Sequence, residues 1–283
     1  RRNEIAAAGL AACGGSYGKD KEEKEMEIEI QNIIKIVEDA AGILSQRDLI
    51  GDISVKGPAD FVTEADRDIQ QFIQAELLVQ YPDIQFLGEE DSQKEVDFYG
   101  KMWVLDPVDG TTNLIHDYRS SAISLALFEA GKPVLGIIYQ PYTKELFWAQ
   151  KGKGAFLGTE RISVSEAGSL SESIVNVGTS PYKKELADEN FELIKKVFCK
   201  SQDIRRSGSA ALDLAWIACG RSDAFFERNL KLWDFAAGWI IIEEAGGKIA
   251  DFNGMEISPV IAADIVTGTP KVCEELLTLI KEN

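Results

Sequence analysis

The sequence predicts a mixed α/β fold in which helices and sheets are stacked in layers. Apolar residues repeat at helical spacing in several segments. Between them lie short apolar runs bounded by glycine, proline or charged residues, which is typical of strands. No linker, internal repeat or low-complexity tract divides the chain after its first residues. We therefore expect a single domain over residues 26–283.

Two helices and five strands are expected in the first half. The helical patterns cover residues ~27–47 and the segment through Ile69, Ile73 and Leu77. The turn at Gly131-Lys132-Pro133 indicates a hairpin, so part of the sheet is expected to be antiparallel. The apolar runs predict strands at 84–87, 103–105, 121–128, 134–139 and 146–149.

The second half repeats this alternation. Strands are expected at 174–177 and 224–227. Gly246 and Gly247 should end a helix as C-cap residues. The helices are expected at 186–198, 209–219 and 233–245, with a last one starting near 270.

Composition excludes several classes of protein. The 283 residues include 45% hydrophobic and 27% charged residues, as in ordinary globular domains. Thirty basic and 47 acidic residues give a net charge of −17, which argues against a general binder of nucleic acid or anionic membranes. No apolar stretch approaches the ~18–20 residues of a transmembrane helix. Four widely spaced cysteines without a Cys-x-x-Cys pair favour the reducing cytoplasm.

Residues 1–25 are expected to be a flexible tail or a remnant of cloning. Leu10-Ala11-Ala12-Cys13 resembles the end of a bacterial lipoprotein leader. However, Glu4 interrupts the basic start, and the apolar stretch is short and dominated by alanine.

A candidate metal and phosphate site follows the strand at 103–105. Pro107 lacks an N–H and disfavours helix at the preceding residue, so we expect the chain to leave the strand at Asp106. Asp106 and Asp109 can then point at one spot, where their repulsion would require a cation such as Mg²⁺. Gly110 and Thr111 lead into a helix start, whose free N–H groups suit a phosphate. The plain alternative is a turn that caps a helix.

Three further acidic residues have both a functional and a plain interpretation. Glu89 follows an apolar run, where α/β sheets place functional side chains, although such acids are usually solvated. Asp234 lies in the first turn of a predicted helix, which its dipole alone would favour. Asp66 has capping-box spacing from Thr63 and is equally a candidate for a peripheral metal site.

These segments, in this order, resemble the inositol monophosphatase family of lithium-sensitive sugar phosphatases. The resemblance covers roughly residues 27–283 and rests on Trp-Val-Leu-Asp-Pro-Val-Asp-Gly-Thr-Thr-Asn, Trp-Asp-x-Ala-Ala-Gly and Gly-Glu-Glu. It implies an alternating α-β-α-β-α sandwich. Leu114 replaces a usual aromatic residue, and the loop after Lys56 is one residue shorter than in familiar members. The shorter loop puts lithium sensitivity and a third ion in doubt.

The resemblance also implies a role for each matching residue. The metal ligands are Glu89, Asp106, the Val108 carbonyl, Asp109 and Asp234, for two to three Mg²⁺ ions. The candidate catalytic residues are Glu89, Thr111 and Asp66. The implied substrate-binding residues are Asp109, Gly110, Thr111, Gly208, Ser209, Ala210, Glu227 and Asp234.

The implied activity is Mg²⁺-dependent hydrolysis of a phosphate monoester of a small polyol or sugar, foremost myo-inositol 1-phosphate. Related members act on fructose 1,6-bisphosphate, 3′-phosphoadenosine 5′-phosphate or NADP, and a non-catalytic regulatory relative is a further alternative. A homodimer is implied. His116, the only histidine, is more often structural, so histidine-dependent phosphatase chemistry is not expected.

Overall fold

The computed structural model describes residues 28–44, 54–57, 60–91 and 95–282. Within these ranges the chain forms seven α-helices. They are α1 (Ile30–Ala41), α2 (Glu64–Gln80), α3 (Thr111–Ile115), α4 (Ala187–Phe198), α5 (Ala210–Ala218), α6 (Leu232–Glu244) and α7 (Pro270–Lys281). None of the described helices is long and apolar enough to cross a bilayer.

The strands form a seven-stranded sheet, a five-stranded sheet and a small ribbon. The ribbon pairs β1 (Ser54–Gly57) with β2 (Asp60–Val62). The large sheet contains, in spatial order, β3 (Gln85–Gly88), β4 (Met102–Asp109), β5 (Ala122–Glu129), β6 (Lys132–Gln140), β7 (Glu145–Gln150), β8 (Gly154–Leu157) and β9 (Glu160–Ile162). The smaller sheet contains β10 (Ile174–Val177), β11 (Asp203–Arg205), β12 (Ala224–Lys231), β13 (Lys248–Asp251) and β14 (Ala262–Gly268), in the order β11-β10-β12-β14-β13.

Both sheets mix parallel and antiparallel pairs. In the large sheet β3 and β4 are parallel, and every later neighbour is antiparallel. In the smaller sheet β10 is parallel to both β11 and β12, whereas β14 is antiparallel to β12 and β13. The hairpin predicted at Gly131 is confirmed as the turn between β5 and β6.

Three apolar clusters bind the layers together. Helices α1 and α2 pack on one face of the large sheet through residues such as Ile33 and Ile69. Helices α5 and α6 fill the space between the two sheets, where Phe235 and Trp239 are fully buried. Helices α4 and α7 cover the outer face of the smaller sheet. The predicted α-β-α-β-α layering is therefore confirmed.

Several boundaries differ from the sequence-based expectation. Helix α1 ends at Ala41, and residues 45–47 of its predicted span lie outside the described residues. The short strands β8, β9, β11, β13 and β14 were not predicted, because they lack a long apolar run or a regular alternation. The largest correction concerns β4, since the chain does not leave the strand at Asp106 but continues to Asp109.

Candidate active site

A bulge in β4 brings two aspartates to the same side of the sheet. Asp106 pairs with Ser124 and Asp109 with Ala122, so the bulged strand has one more residue between these pairs than its partner. In a regular strand, residues three apart point to opposite faces, and an inserted residue reverses this. Asp106, Asp109 and Asp234 each bring one carboxylate oxygen to within 4.8 Å of the others. The described residues thus contain a cluster that could hold a metal ion.

Hydrogen bonds fix the orientation of each carboxylate in this cluster. The backbone N–H of Val108 donates to Asp106 Oδ1 at 2.9 Å. Asp109 Oδ2 accepts from the Ser209 hydroxyl and from the Ala211 N–H, both at 2.6 Å. At the start of α6 the Lys231 N–H donates to Asp234 Oδ2 at 2.7 Å. These hydrogen bonds hold the three carboxylates in place around the cluster.

Gly110 connects β4 to α3 in a conformation that favours glycine. Its φ is +94°, and a Cβ there would lie 3.0 Å from the Ser120 carbonyl oxygen and 3.1 Å from that of Gly208. The Asn113 side chain donates to the carbonyls of Ser120 (2.7 Å) and Ser207 (3.0 Å). This close approach joins the start of α3 to the segment before α5.

Thr111 and Asp66 link α3 to α2. The Thr111 hydroxyl lies 3.1 Å from Asp66 Oδ1 and 3.1 Å from the Val108 carbonyl oxygen. The second Asp66 oxygen accepts from the Thr63 N–H at 2.8 Å and from the Thr63 hydroxyl at 2.5 Å. The predicted capping box is therefore confirmed. The same carboxylate also reaches the cluster through Thr111, so the two interpretations of Asp66 are compatible.

Glu89 follows β3 at the start of a short 3₁₀ helix and lines the same cavity as the three aspartates. The parallel pairing of β3 and β4 places Gly88 beside Leu105, so Glu89 lies next to the bulge. Its negative charge raises the pKa values of Asp106 and Asp234. Glu89 thus lines the cavity beside the three-aspartate cluster.

Burial and mutual repulsion raise the pKa values of the clustered acids. The pKa of Asp106 is well above its ordinary value because of burial first, and then because of the charges of Glu89, Asp109 and Asp234. Burial raises the pKa of Asp109 to about 6, opposed by its hydrogen bonds from Ser209 and Ala211. Burial and then Asp109 also raise the pKa of Asp234. A bound cation would offset this repulsion.

The four carboxylates line a cavity of about 460 Å³. We call this set of four the floor: Glu89, Asp106, Asp109 and Asp234. Eleven of the twelve predicted site residues line the cavity, and the twelfth, Asp66, contacts it through Thr111. They are Glu89, Asp106, Val108, Asp109, Gly110, Thr111, Gly208, Ser209, Ala210, Glu227 and Asp234. His116, by contrast, is exposed at the end of α3 and is not part of this lining.

Ser209 has a structural task in addition to its predicted contact with substrate. Its hydroxyl donates to Asp109, and its oxygen accepts from the Leu212 N–H at 3.3 Å as the N-cap of α5. One side chain therefore orients a floor carboxylate and begins a helix. The sequence predicted a residue for substrate contact here and did not predict this link to Asp109.

Glu227 also lines the cavity and lies against Gly178. The Ser180 N–H donates to Glu227 Oε1 at 2.8 Å. A Cβ on Gly178 would lie 1.9 Å from Glu227 Cδ, so glycine is required for this position of the carboxyl group. Burial raises the pKa of Glu227 to about 7, although the Ser180 hydrogen bond and Arg206 lower it.

Sequence reasoning missed the remaining charged residues of the cavity. Asp213 on α5 is buried and accepts a hydrogen bond from Asn176 at 2.9 Å. Four basic residues also line the cavity: Lys183, Lys184, Arg206 and Lys231. Asp213 follows the predicted Gly-Ser-Ala run by one helical turn, and that spacing was a usable signal. Lys183 and Lys184 lie in the connection between β10 and α4, whose course the sequence does not fix.

The fold and the cavity define a layered α/β protein with an acidic cluster suited to a divalent cation and a charged pocket beside it. The chain belongs to the inositol monophosphatase family, whose sequence profile matches residues 21–282.

Three similar proteins illustrate the range of names within this family. An inositol-1-monophosphatase of Rhizobium meliloti is 39% identical over 229 residues, covering 81% of this chain and 86% of that protein. A protein named Nus factor SuhB from Xylella fastidiosa is 37% identical over 230 residues, covering 80% and 83%. The solved structure of a Thermotoga maritima IMPase has a TM-score of 0.82 at 32% identity, covering 89% of this chain and 96% of that one.

Proposed function

We propose that this protein hydrolyses the phosphate monoester of a small polyol or sugar with the help of Mg²⁺, and that myo-inositol 1-phosphate is a substrate. The observation that carries the proposal is the approach of Asp106, Asp109 and Asp234 to within 4.8 Å of one another in a cavity also lined by Gly110 and Thr111. The family and the name of the Rhizobium relative support it.

The floor fits divalent magnesium by its chemistry. Its donors are carboxylate oxygens, which Mg²⁺ prefers. Burial raises the pKa values of Asp106, Asp109 and Asp234, and the neighbouring carboxylates raise those of Asp106 and Asp234 further. We propose Glu89, Asp106, the Val108 carbonyl, Asp109 and Asp234 as ligands for two to three ions. When bound, such ions neutralise the floor and polarise the phosphate.

The side chains of this chain would then provide orientation and proton transfer. The Thr111 hydroxyl can pass its proton to Asp66, 3.1 Å away, and in turn accept one from an attacking water. Glu89 is the alternative base, because its carboxylate lines the same cavity. Gly110 leaves its backbone N–H accessible to the phosphate. Glu227, Gly208, Ser209 and Ala210 would contact the hydroxyl groups of the polyol.

A phosphate-release assay tests the proposal. The protein is supplied with myo-inositol 1-phosphate, hexose phosphates, fructose 1,6-bisphosphate, 3′-phosphoadenosine 5′-phosphate and NADP, with Mg²⁺ or with EDTA. We expect release from polyol or sugar esters in Mg²⁺ and none in EDTA. Release that is insensitive to EDTA, or absent for every ester, would refute the proposal. Adding Li⁺ tests for the inhibition that the family resemblance implies. This is a separate question from the reaction itself, because the loop after Lys56 is shorter than in familiar members.

The name Nus factor, borne by the Xylella relative, raises a binding role as a second candidate. The net charge of −17 disfavours direct contact with nucleic acid, and all the proposed metal ligands are present in this chain. We therefore favour the enzyme. A cytoplasmic location and a homodimer complete the proposal, and sedimentation velocity would measure the latter.

A further inference from the structure

Strand β12 contains a bulge of its own, directly after Glu227. Glu227 pairs with Ile265 of β14. Three residues later Leu230 pairs with Ala263, only two residues before Ile265, so β12 has one extra residue between these pairs. Bulges re-aim side chains and are common beside active sites. This bulge contains Asn229, which lines the cavity.

Asn229 has a backbone conformation that few residues adopt. Its φ is +56°, in the left-handed region where glycine is unstrained and asparagine is tolerated. Six non-glycine residues of the described ranges have a positive φ, and Asn229 is the only one of these six in the cavity lining. Glycine would adopt this conformation without steric strain. The conformation alone therefore does not account for an amide side chain at this position.

Two side chains hold the peptide unit between Arg228 and Asn229. Its carbonyl, from Arg228, accepts a hydrogen bond from the Ser180 hydroxyl at 2.7 Å. Its N–H, from Asn229, donates to Asp264 Oδ1 at 2.9 Å. Both polar groups of this peptide unit thus have a side-chain partner, so the orientation of the bulge is fixed before any ligand binds.

The Asn229 amide has no hydrogen-bond partner within the described part of the chain. The buried amides of Asn113 and Asn176, by contrast, donate to protein oxygens. Asn229 is half-buried and lines the same cavity as Glu227. A side-chain amide provides two N–H donors and one acceptor oxygen. It therefore suits a hydroxyl group, which both donates and accepts.

Resting on the proposed function, we propose that Asn229 is a further specificity-determining residue of this site, and that its amide binds a hydroxyl group of the polyol other than the one that Glu227 receives. Asp264 does not line the cavity and acts as a positioning residue through the bulge. A site built to hydrogen-bond a hydroxyl group discriminates against an analogue that lacks it. The inference thus favours phosphate esters with at least two further hydroxyl groups.

Two esters with the same six-membered ring test this assignment. myo-Inositol 1-phosphate has hydroxyl groups on the other ring carbons, whereas cyclohexyl phosphate has none. In Asn229→Gly the ratio of their kcat/KM values should fall about fivefold, as expected for one lost hydrogen bond, mainly through a higher KM for myo-inositol 1-phosphate. The variant keeps the backbone N–H that donates to Asp264, and glycine tolerates the φ, so its melting temperature should stay close to that of the wild type.

Lys144→Gly is the matched control, because Lys144 also has a positive φ, of +57°, but is exposed and outside the cavity. It should keep the wild-type ratio. Asn229→Asp should keep more of the ratio than Asn229→Gly, because a carboxylate still accepts from a hydroxyl group and its charge acts on both esters.

Asp264→Ala tests the positioning role without changing the cavity lining. It should also lower the ratio, and combining it with Asn229→Gly should lower the ratio little further, because both changes act through one amide. A wild-type ratio in Asp264→Ala would refute this role.

A binding measurement separates the inference from the proposed reaction. If no ester releases phosphate, calorimetry with Mg²⁺ compares the affinities of the two esters directly. A preference for myo-inositol 1-phosphate that Asn229→Gly reduces and Lys144→Gly keeps supports the inference, and only the proposed reaction is then wrong. The same ratio in the wild type and in Asn229→Gly overturns the inference, as does a wild type that binds neither ester or does not distinguish them.

Discussion

The floor and the basic residues that line the cavity differ in how firmly the fold fixes their side chains. Asp106 and Asp109 are 2% and 8% exposed, and hydrogen bonds from β4 and α5 hold them. Lys183 and Lys184 are exposed in the connection between β10 and α4. The comparison teaches that the proposed metal ligands are fixed in buried secondary structure, whereas the exposed part of the cavity lining can change without disturbing the core.

This arrangement has an energetic consequence for the floor. The floor carboxylates lie close together, and burial raises the pKa values of three of them, with repulsion adding to the shift for Asp106 and Asp234. A cluster tuned for stability would not combine these residues. Lys183, Lys184 and Arg206 have no such conflict, because their side chains are exposed. The predictions below test whether the two regions separate chemistry from specificity.

The largest effect is expected when a floor ligand is removed. Asp109→Asn and Asp234→Asn should each lower phosphate release by more than about 100-fold, because a lost carboxylate weakens metal binding directly. The fold should persist, since Asn can still accept the hydrogen bonds from Ala211 or Lys231. Phosphate release in Mg²⁺ measures the loss.

Asp83→Asn is the control, because Asp83 is exposed and outside the cavity. Its turnover should equal that of the wild type. Near-normal turnover in both Asp109→Asn and Asp234→Asn would refute the assignment of these two residues as metal ligands.

A second effect concerns the stability of the fold, which Asp106→Asn should change differently in EDTA and in Mg²⁺. In EDTA, Asp106→Asn should raise the free energy of unfolding by about 1–3 kcal/mol, since it removes a buried charge that four other acids repel. Thermal melts in EDTA and in Mg²⁺ measure this difference. Mg²⁺ should raise the melting temperature of the wild type by more than that of the variant. A variant that is less stable than the wild type in EDTA would show that repulsion does not dominate the floor.

Much of this architecture could be predicted from the sequence. The helical spacing of Ile33, Ile69 and similar residues defined the helices, and the strand at 174–177 was placed at its observed limits. Eleven predicted site residues line one cavity, because the resemblance transferred a three-dimensional arrangement that no local pattern contains. From the residues alone, Asp106 and Asp109 were only a plausible pair.

The remainder depended on tertiary structure. Pro107 suggested a turn, but pairing with β5 keeps the segment in the sheet as a bulge, which no rule of local propensity predicts. Strand β14 reads as a mixed run, Ala-Ala-Asp-Ile-Val-Thr-Gly, and becomes a strand because it pairs with β12 and β13. The basic residues of the cavity lining were missed because Lys183, Arg206 and Lys231 come from segments distant in the sequence, which only the fold brings together.

A third effect tests whether Glu227 sets substrate specificity; it lines the cavity outside the floor, at a position that we call the wall. Glu227→Ala should change the preference among polyol and sugar phosphates by about tenfold while changing phosphate affinity less, because a lost hydrogen-bonding carboxylate is worth roughly 1–2 kcal/mol. Gly178→Ala should mimic it, since the added methyl group would collide with the Glu227 carboxyl group. The KM and kcat values of the two variants for each ester of the panel measure these changes.

The two changes should also be non-additive, because they act through one carboxyl group. Gly152→Ala is a suitable comparison, since its Cβ would meet nothing within 4 Å, although its φ of +75° makes a small loss of stability expected there. Equal losses for all substrates in Glu227→Ala would argue against a recognition role.

The smallest effect is the pH dependence of stability, and it distinguishes the floor from the wall. Burial raises the folded-state pKa of Glu227 from 4.5 to about 7, so the folded protein binds a proton more tightly than the unfolded chain does. Stability from this group is therefore present below about pH 4.5 and is lost as the pH rises towards about 7. The pKa of Asp109, raised to about 6, should add a similar loss of stability at lower pH.

Melting temperatures from pH 4 to pH 8 should fall in EDTA, and Glu227→Gln should flatten this fall by a few degrees. Mg²⁺ should abolish the contribution of Asp109, because the ion binds its deprotonated form, but should leave that of Glu227. If Mg²⁺ flattened the wild type and Glu227→Gln equally, leaving no difference between them, Glu227 would belong to the metal-binding floor rather than to the wall.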